Sequence, residues 1–476
     1  MLAVSNFIFE SKLRRNLFFL VLALLIFLIS KNFGMFDDDI LFGSKMGNHL
    51  YNTSIFNWYM PDVFDPGHPP FLGTLLAFFW NLLGHHLWVT HLAILPFTVF
   101  FFIQLHQFIS FFIKNKTQQF LAFLLILIDP TLSTCFVLVN IEIITLPFFF
   151  LVVNAILRLH KNWKFIGLFF LSIISFRSMM LFGGLFLFEI LFRNFIQKEN
   201  LKKIITLKFL LFYFLAGIPA FIYVIWRFLS KGWLQTHKDS PWEEMWHFAD
   251  LNYFIRNCIV LVWRYLDFGR VFIMLFLLTG LFLFGKKIMK STKIKTLLLL
   301  AISSVIFIIL TILIVTNSVG IRYFIVSYIC FNLLVFIILN HLFTHKKIIY
   351  TILFLGLLSG NFWIYPEPIS TAWRATLGLM PYHSLRLKAI DYLDKNNISI
   401  EETASFFPNY TTLDLIDFSG DERSFSRFTG KEKYVFYSKV YNLSDKDINL
   451  LENNYTILKE FNNFNISIKI YILNTI

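Results

Sequence analysis

Apolar runs close to membrane-crossing length recur along this chain, separated by short basic clusters, and that alternation limits the fold more than any other feature of the sequence. A helix needs roughly 20 apolar residues to cross the hydrocarbon core, where no water satisfies exposed backbone groups, so repeated runs of this kind specify a helix bundle. Composition agrees: 57% of the 476 residues are hydrophobic and 62 are Phe, more apolar surface than a soluble core can hide. The expected fold class is an all-α polytopic membrane protein. The formal net charge of +13 could suggest a nucleic-acid partner. Lys and Arg, however, sit mainly between the apolar runs, where the positive-inside rule places them. The charge therefore sets topology, with a weak pull towards anionic membrane lipids, and no nucleic-acid partner is expected. Cys135, Cys258 and Cys330 are the only cysteines and follow no metal-ligand spacing, so no disulfide framework is expected.

Lys12, Arg14 and Arg15 precede the first run, Leu17 to Phe33, which has no small-residue cleavage site after it and reads as a retained helix with a cytoplasmic N-terminus. The loop 34–69 then lies outside. Pro69–Leu83 is short for a crossing and is expected to be juxtamembrane or re-entrant. Basic clusters at Lys114/Lys116, Arg158/Lys161, Lys198/Lys203, Lys286–Lys295 and Lys346/Lys347 recur at alternate turns, giving about eleven crossings, an odd number. A second outer loop, 230–268, carries Trp233, Trp242, Trp246, His247 and Asp250. From residue 366 the composition turns mixed and soluble. Leu385–Lys395 reads as a helix and Tyr434–Val440, Tyr455–Phe461 and Ile466–Leu473 as strands. The chain thus divides into a transmembrane domain, 1–365, and an extracytoplasmic α/β domain, 366–476.

Three consecutive carboxylates, Asp37, Asp38 and Asp39, stand just past the first run. Desolvation and mutual repulsion make such a cluster costly beside a low-dielectric slab. A solvated acidic loop, or an N-cap for the stretch containing Ile40, Leu41 and Met46, would each explain it without function. On the drawn topology, Asp65, His68, Asp129, Glu142, Arg177 and Arg322 also fall at outer helix ends. Any one of these could be a snorkelling side chain, and the acids and arginines could simply pair to hold helices together. Their convergence instead suggests a cavity on the outer face. Arginine grips phosphate through a planar fork, and a nearby carboxylate can deprotonate an acceptor, which suits group transfer from a lipid phosphate.

An acidic motif after the first transmembrane helix, followed by His68-Pro69-Pro70 opening the next apolar stretch, resembles the GT-C glycosyltransferases of the protein-mannosyltransferase and aminoarabinose-transferase type. Asp129-Pro130 with Asn140-Ile141-Glu142 is similar to that family's second outer loop, Ser175-Phe176-Arg177 to its basic residue after a mid-chain helix, and Gly320-Ile321-Arg322-Tyr323 to its Arg-Tyr signature. The likeness spans most of the chain up to residue 345. It implies a GT-C-like fold, a polyprenyl-phosphate-linked hexose or pentose as donor, inversion at the anomeric carbon, and a glycan, lipid or protein acceptor outside the cytoplasm. The base would be the first acid of the motif, Asp37 or Asp38, since three consecutive Asp leave the register open by one position. Arg177, Arg322 and Tyr323 would hold the donor phosphate, with Asp39, Asp65, His68, Glu142 and Asp129 as further active-site candidates. Ile325, Val326 and Ser327 stand where the family often has Pro after its Arg-Tyr pair. No cofactor is expected. A divalent metal, if one is used, would take oxygen ligands from Asp37 and Asp39, but two arginines already supply positive charge for a monophosphate. The competing functions are an envelope polysaccharide polymerase or ligase and a lipid-linked-glycan transporter. A transporter should show corresponding broken segments in two halves, and no such symmetry is evident. A plain membrane anchor would leave Arg177, Arg322 and Glu142 without a role.

Overall fold

The computed structural model describes residues 8–238, 247–316, 319–366, 374–441 and 443–474. Trp242 and Trp246 of the second expected loop, and the Glu367-Pro368 junction, lie outside the described residues. In chain order the helices are α1 (Lys12–Ser30), α2 (Met46–Asn52), α3 (Phe71–Leu83), α4 (Leu87–Phe112), α5 (Lys116–Leu127), α6 (Pro130–Val137), α7 (Ile141–Arg158) and α8 (Lys161–Ile174). They continue with α9 (Phe176–Leu191), α10 (Leu207–Lys231), α11 (Leu251–Leu266), α12 (Arg270–Ile288), α13 (Thr292–Ile314), α14 (Ile325–Leu342) and α15 (Lys346–Ser359). Among the described residues eight helices are long and apolar enough to cross a membrane: α1, α4, α7, α9 with its trailing π-helical turn to Ile196, α10, α12, α13 and α14 with its leading 3-10 turn. The pair α5 and α6, bent by 78° across Asp129, makes a ninth if taken as one span. Every one of the eleven runs has a helical counterpart. The two left over, α8 and α15, have 14 residues each. At 1.5 Å per residue that is roughly 21 Å, short of the hydrocarbon thickness.

The apolar window of α7 is 94% buried and that of α14 83%, so these two form the centre of the bundle. By contrast α1 and α12 bury about a fifth of theirs and present Leu and Phe outward, the pattern of lipid-facing helices. α2 and α3 pack at close range because Gly47 and Gly73 face each other: a Cβ on Gly73 would come within 2.8 Å of the Gly47 nitrogen. This contact fastens the acidic loop to the bundle.

Inside 230–268, expected to be a polar loop, α11 is a 16-residue helix N-capped by Asp250, whose carboxylate accepts from the Tyr253 N–H at 2.7 Å. Its Ile255, Ile259 and Val262 are exposed while Asn257 is buried and donates to the Ile312 carbonyl. The segment reads as a loop by composition because its longest apolar run, Cys258 to Trp263, has six residues, far short of a crossing.

The C-terminal residues form α16 (Pro381–Lys395), α17 (Asp445–Asn454) and a five-stranded sheet of β1 (Thr403–Ser405), β2 (Ser426–Arg427), β3 (Tyr434–Ser438), β4 (Tyr455–Asn463) and β5 (Ile466–Leu473). The strand order is β2-β1-β3-β5-β4, with β1 parallel to both neighbours and β5 antiparallel to β3 and β4. The alternating burial of β5, with Ile466, Ile468 and Ile470 inward, sets its register against Val435 and Phe436. That core also takes in Phe33, Phe36, Val137 and Leu138, and the Met35 N–H donates to the Ile416 carbonyl at 2.7 Å. The α/β unit is therefore packed directly on the acidic loop and on the end of α6.

Candidate active site

α1 ends, and α7, α9 and α14 begin, at the same end of the bundle, so their terminal residues meet. Asn140 caps α7 by accepting from the Ile143 N–H, which places Glu142 in the first turn, where a carboxylate suits the helix dipole. Ser175 and Ser178 form a reciprocal cap that opens α9 and projects Arg177 from its first turn. Arg322 leaves the 3-10 turn Ile321–Phe324 that leads α14. Asp37 has a left-handed backbone, φ +57°, which Asp tolerates better than most residues, and the chain turns there beneath the arginines.

Arg322 serves three carboxylates with three different nitrogens: Nη1 to Asp37 at 2.9 Å, Nη2 to Asp38, and Nε to Glu142 at 3.1 Å. Arg177 pairs with the other side of this group through Glu142, and its guanidinium lies 4.0 Å from the ring centre of Tyr323. The third cation was not anticipated from the sequence. Arg374, 1% exposed, places Nε 2.8 Å from Asp37 and Nη1 2.9 Å from Asp39 and 3.7 Å from Glu142. A signal for it existed, because four carboxylates and two arginines beside a membrane leave two negative charges unanswered, and buried charge demands a partner. Arg374 was hidden by its position in a segment whose composition reads as soluble.

With three arginines against four carboxylates, the cluster still carries one excess negative charge when all are ionised. Asp37 is pushed up to about 7, first by burial and then by Asp38, against the pull of Arg374 and Arg322. Burial also drives Asp39 well above the usual carboxylate range. Desolvation acts on Asp38 too, yet Arg322 and Arg374 hold it below that range. One proton shared within the cluster removes the excess charge. No side chain caps the helical turn that starts at Ile40, so the N-cap explanation of Asp39 does not apply.

Asp38 and Arg177 are the least covered members, with side chains 15% and 18% exposed. Arg177 lines a narrow cleft whose other walls include Phe42, His68, Leu72, Ile141 and Ile174. His68 Nδ1 accepts from the Phe176 N–H at 3.3 Å, and burial, reinforced by Arg177, lowers its pKa to about 3. The imidazole is therefore neutral, and Arg177 is the charged group of the cleft.

The other two candidates lie apart. Asp65 accepts from the Gly67 N–H at 2.9 Å and from Arg227 at 3.0 Å, bracing the turn that presents His68. Asp129 caps α6 and takes Arg270 in a two-pronged pair at 2.6 and 3.0 Å. Arg227, Lys231 and Arg270, like Arg374, were not singled out in the sequence. Asp37 and Asp39 both face Arg374, and among the described residues no group of three or more His, Cys, Asp or Glu is arranged to hold a metal ion.

A bundle of membrane-length helices, a buried carboxylate–arginine cluster at one end of it, and a small α/β domain packed over that end together define a membrane protein of the GT-C fold type. Two crystal structures of ArnT from Cupriavidus metallidurans share the architecture along almost the whole chain. The one bound to undecaprenyl phosphate aligns with TM-score 0.52 and 10% identity over 97% of this chain and 98% of that one. The apo form gives 0.52 and 11% over 95% and 97%. At that identity the likeness is one of fold. No protein-family model matches the chain, and no curated protein does either.

Proposed function

We propose that this protein is a membrane glycosyltransferase that moves a sugar from a polyprenyl-phosphate carrier to a hydroxyl acceptor outside the cytoplasm, with inversion at the anomeric carbon. The observation that carries this reading is that Arg177, the least covered guanidinium of the cluster, lines a cleft and acts electrostatically on Asp38, the least covered carboxylate. The guanidinium suits the carrier's phosphate, and the cleft, with room for about one water, fits a phosphate oxygen and not the prenyl chain. The fold likeness to a structure holding undecaprenyl phosphate supports the same lipid class. In the reaction, the acceptor O–H gives its proton to Asp37 or Asp38 while its oxygen attacks the anomeric carbon. The bond from that carbon to the phosphate oxygen breaks, and the electron pair leaves with the polyprenyl phosphate. The phosphate gains one negative charge, which Arg177 is placed to stabilise, with Arg322 behind it. Asp38 has the better access and Asp37 the higher proton affinity.

The test is transfer or release of radiolabelled sugar from a panel of polyprenyl-phosphate-linked sugars by the purified full-length protein. Consumption of at least one donor is expected. A folded protein that consumes none of them, with lipid acceptor fractions supplied, would rule the reading out.

A further inference from the structure

A second, wider concavity of about 480 Å³ lies between α2 and the C-terminal domain, a size suited to a small-molecule headgroup. It begins close to the acids: Lys45, on its wall, follows Asp39 by six residues of continuous helical chain, a rise of roughly 9 Å or less. Lys45, Asn48, His49 and Asn52 follow the i, i+3, i+4, i+7 spacing of a single helix face, and Thr411 and Thr412 of the C-terminal domain line the opposite wall. No Asp or Glu lines the groove among the described residues.

Lys45 is half-buried, and its ammonium makes no hydrogen bond or ion pair with a described residue. Burial lowers the pKa of its ammonium with no carboxylate to offset it. Partial burial of an unanswered cation is costly, and a purely structural helix face would pair it or leave it in bulk water. Amides and hydroxyls around a single cation form a surface for a polyhydroxylated anion. Phe64, Leu415 and Phe425 add apolar lining suited to the C–H face of a sugar ring.

We propose that this groove is the acceptor site and that it takes an anionic carbohydrate, whose phosphate or carboxylate pairs with Lys45 while Asn48, Asn52 and Thr412 hold its hydroxyls. The word acceptor rests on the glycosyltransfer reading above; the anion site itself does not. The C-terminal domain then supplies half of the acceptor site, which gives a reason for its packing on the acidic loop.

The experiment titrates the purified full-length protein by calorimetry with glucose 1-phosphate, glucuronate, glucose and inorganic phosphate. Saturable binding of glucose 1-phosphate or glucuronate is expected, at least about tenfold tighter than glucose or inorganic phosphate. Lys45→Gln should lose about tenfold or more, Lys45→Arg should retain binding, and Asn52→Asp, at an exposed position, should weaken it by placing a like charge beside the anion. The proposal is overturned if neither anionic sugar saturates, if Lys45→Gln binds as the wild type does, or if inorganic phosphate binds as tightly as the sugars. Wild-type donor consumption, measured in parallel, keeps the two readings distinguishable. Lys45-dependent sugar binding without donor consumption would sink the glycosyltransfer reading and leave the groove standing; donor consumption without such binding would do the reverse.

Discussion

Asp37 and Asp38 are adjacent, but the arginines treat them differently, and that difference makes the choice of base testable. Asp37 titrates near 7, above its ordinary 3.8, so the folded protein holds this proton more tightly than the unfolded chain. Its contribution to stability is therefore full below about 4 and is lost as pH rises through 7. Activity should move the other way if Asp37 is the base, with kcat/KM rising through about pH 7. Asp38, held low, would give no rise in that range. We expect Asp37→Asn or Asp38→Asn, but not both equally, to lose roughly two or more orders of magnitude in turnover with donor binding retained. Asp39→Asn should lose less, because that carboxylate faces only Arg374 among the ion pairs. Activity abolished by chelator and restored by a divalent cation would move the Asp triplet from base to metal ligand. The arginines separate likewise. Arg322 answers three carboxylates through three nitrogens, a geometry that a lysine ammonium cannot reproduce, so Arg322→Lys should lower both melting temperature and turnover. Arg177→Lys should mainly weaken donor binding, by about tenfold, and equal loss of stability in the two variants would make Arg177 a structural pair only.

Among the elements, those specified by a long local pattern were legible and those specified by distant partners were not. The membrane helices follow from apolar length, and β5 from alternation over eight residues. β1 and β2 have three and two residues and are strands only because β1 pairs with β3 on one side and β2 on the other, so no local pattern could announce them. In the site, Asp37, Asp38, Asp39, Glu142, Arg177 and Arg322 were visible as charges at helix ends. Arg374 was not, because the carboxylates it answers include ones more than 330 residues earlier in the chain. The bend between α5 and α6 shows the same division: Asp129-Pro130 is readable as a helix start, but the Arg270 that neutralises Asp129 comes from α12. Both partners are buried, so Arg270→Met should leave an unanswered carboxylate and cost about 3–5 kcal/mol. Adding Asp129→Asn should recover part of that loss, since a neutral amide oxygen still accepts from the Thr131 and Leu132 N–H groups. Thermal melting in detergent checks this, and a double variant no more stable than Arg270→Met would show that the pair's charge is not what matters there.

For the whole molecule, the packing turns two questions of topology into one. Phe33 and Phe36 of the acidic loop lie inside the hydrophobic core of the C-terminal unit, and Arg374 ties that unit's leading segment to Asp37 and Asp39, so loop and domain must occupy the same side of the membrane. The end of α10 joins them, because Lys231 reaches the Met60 carbonyl and Asp62 within the same loop. The basic clusters near Lys114 and Lys287 belong to the ends of α4 and α12 that the positive-inside rule places in the cytoplasm. We therefore expect cysteines introduced at Ser54, Lys238 and Asp445, all exposed, to react with a membrane-impermeant thiol reagent on intact cells. Cysteines at Lys114 and Lys287, also exposed, should react only after permeabilisation. Cys135 and Cys330 are buried and can stay, while the half-buried Cys258 is best replaced by Ser. Protection at Asp445 with labelling at Ser54 would contradict the packing of the C-terminal unit on the acidic loop, and the reverse pattern at all five positions would invert the membrane orientation while leaving the fold intact.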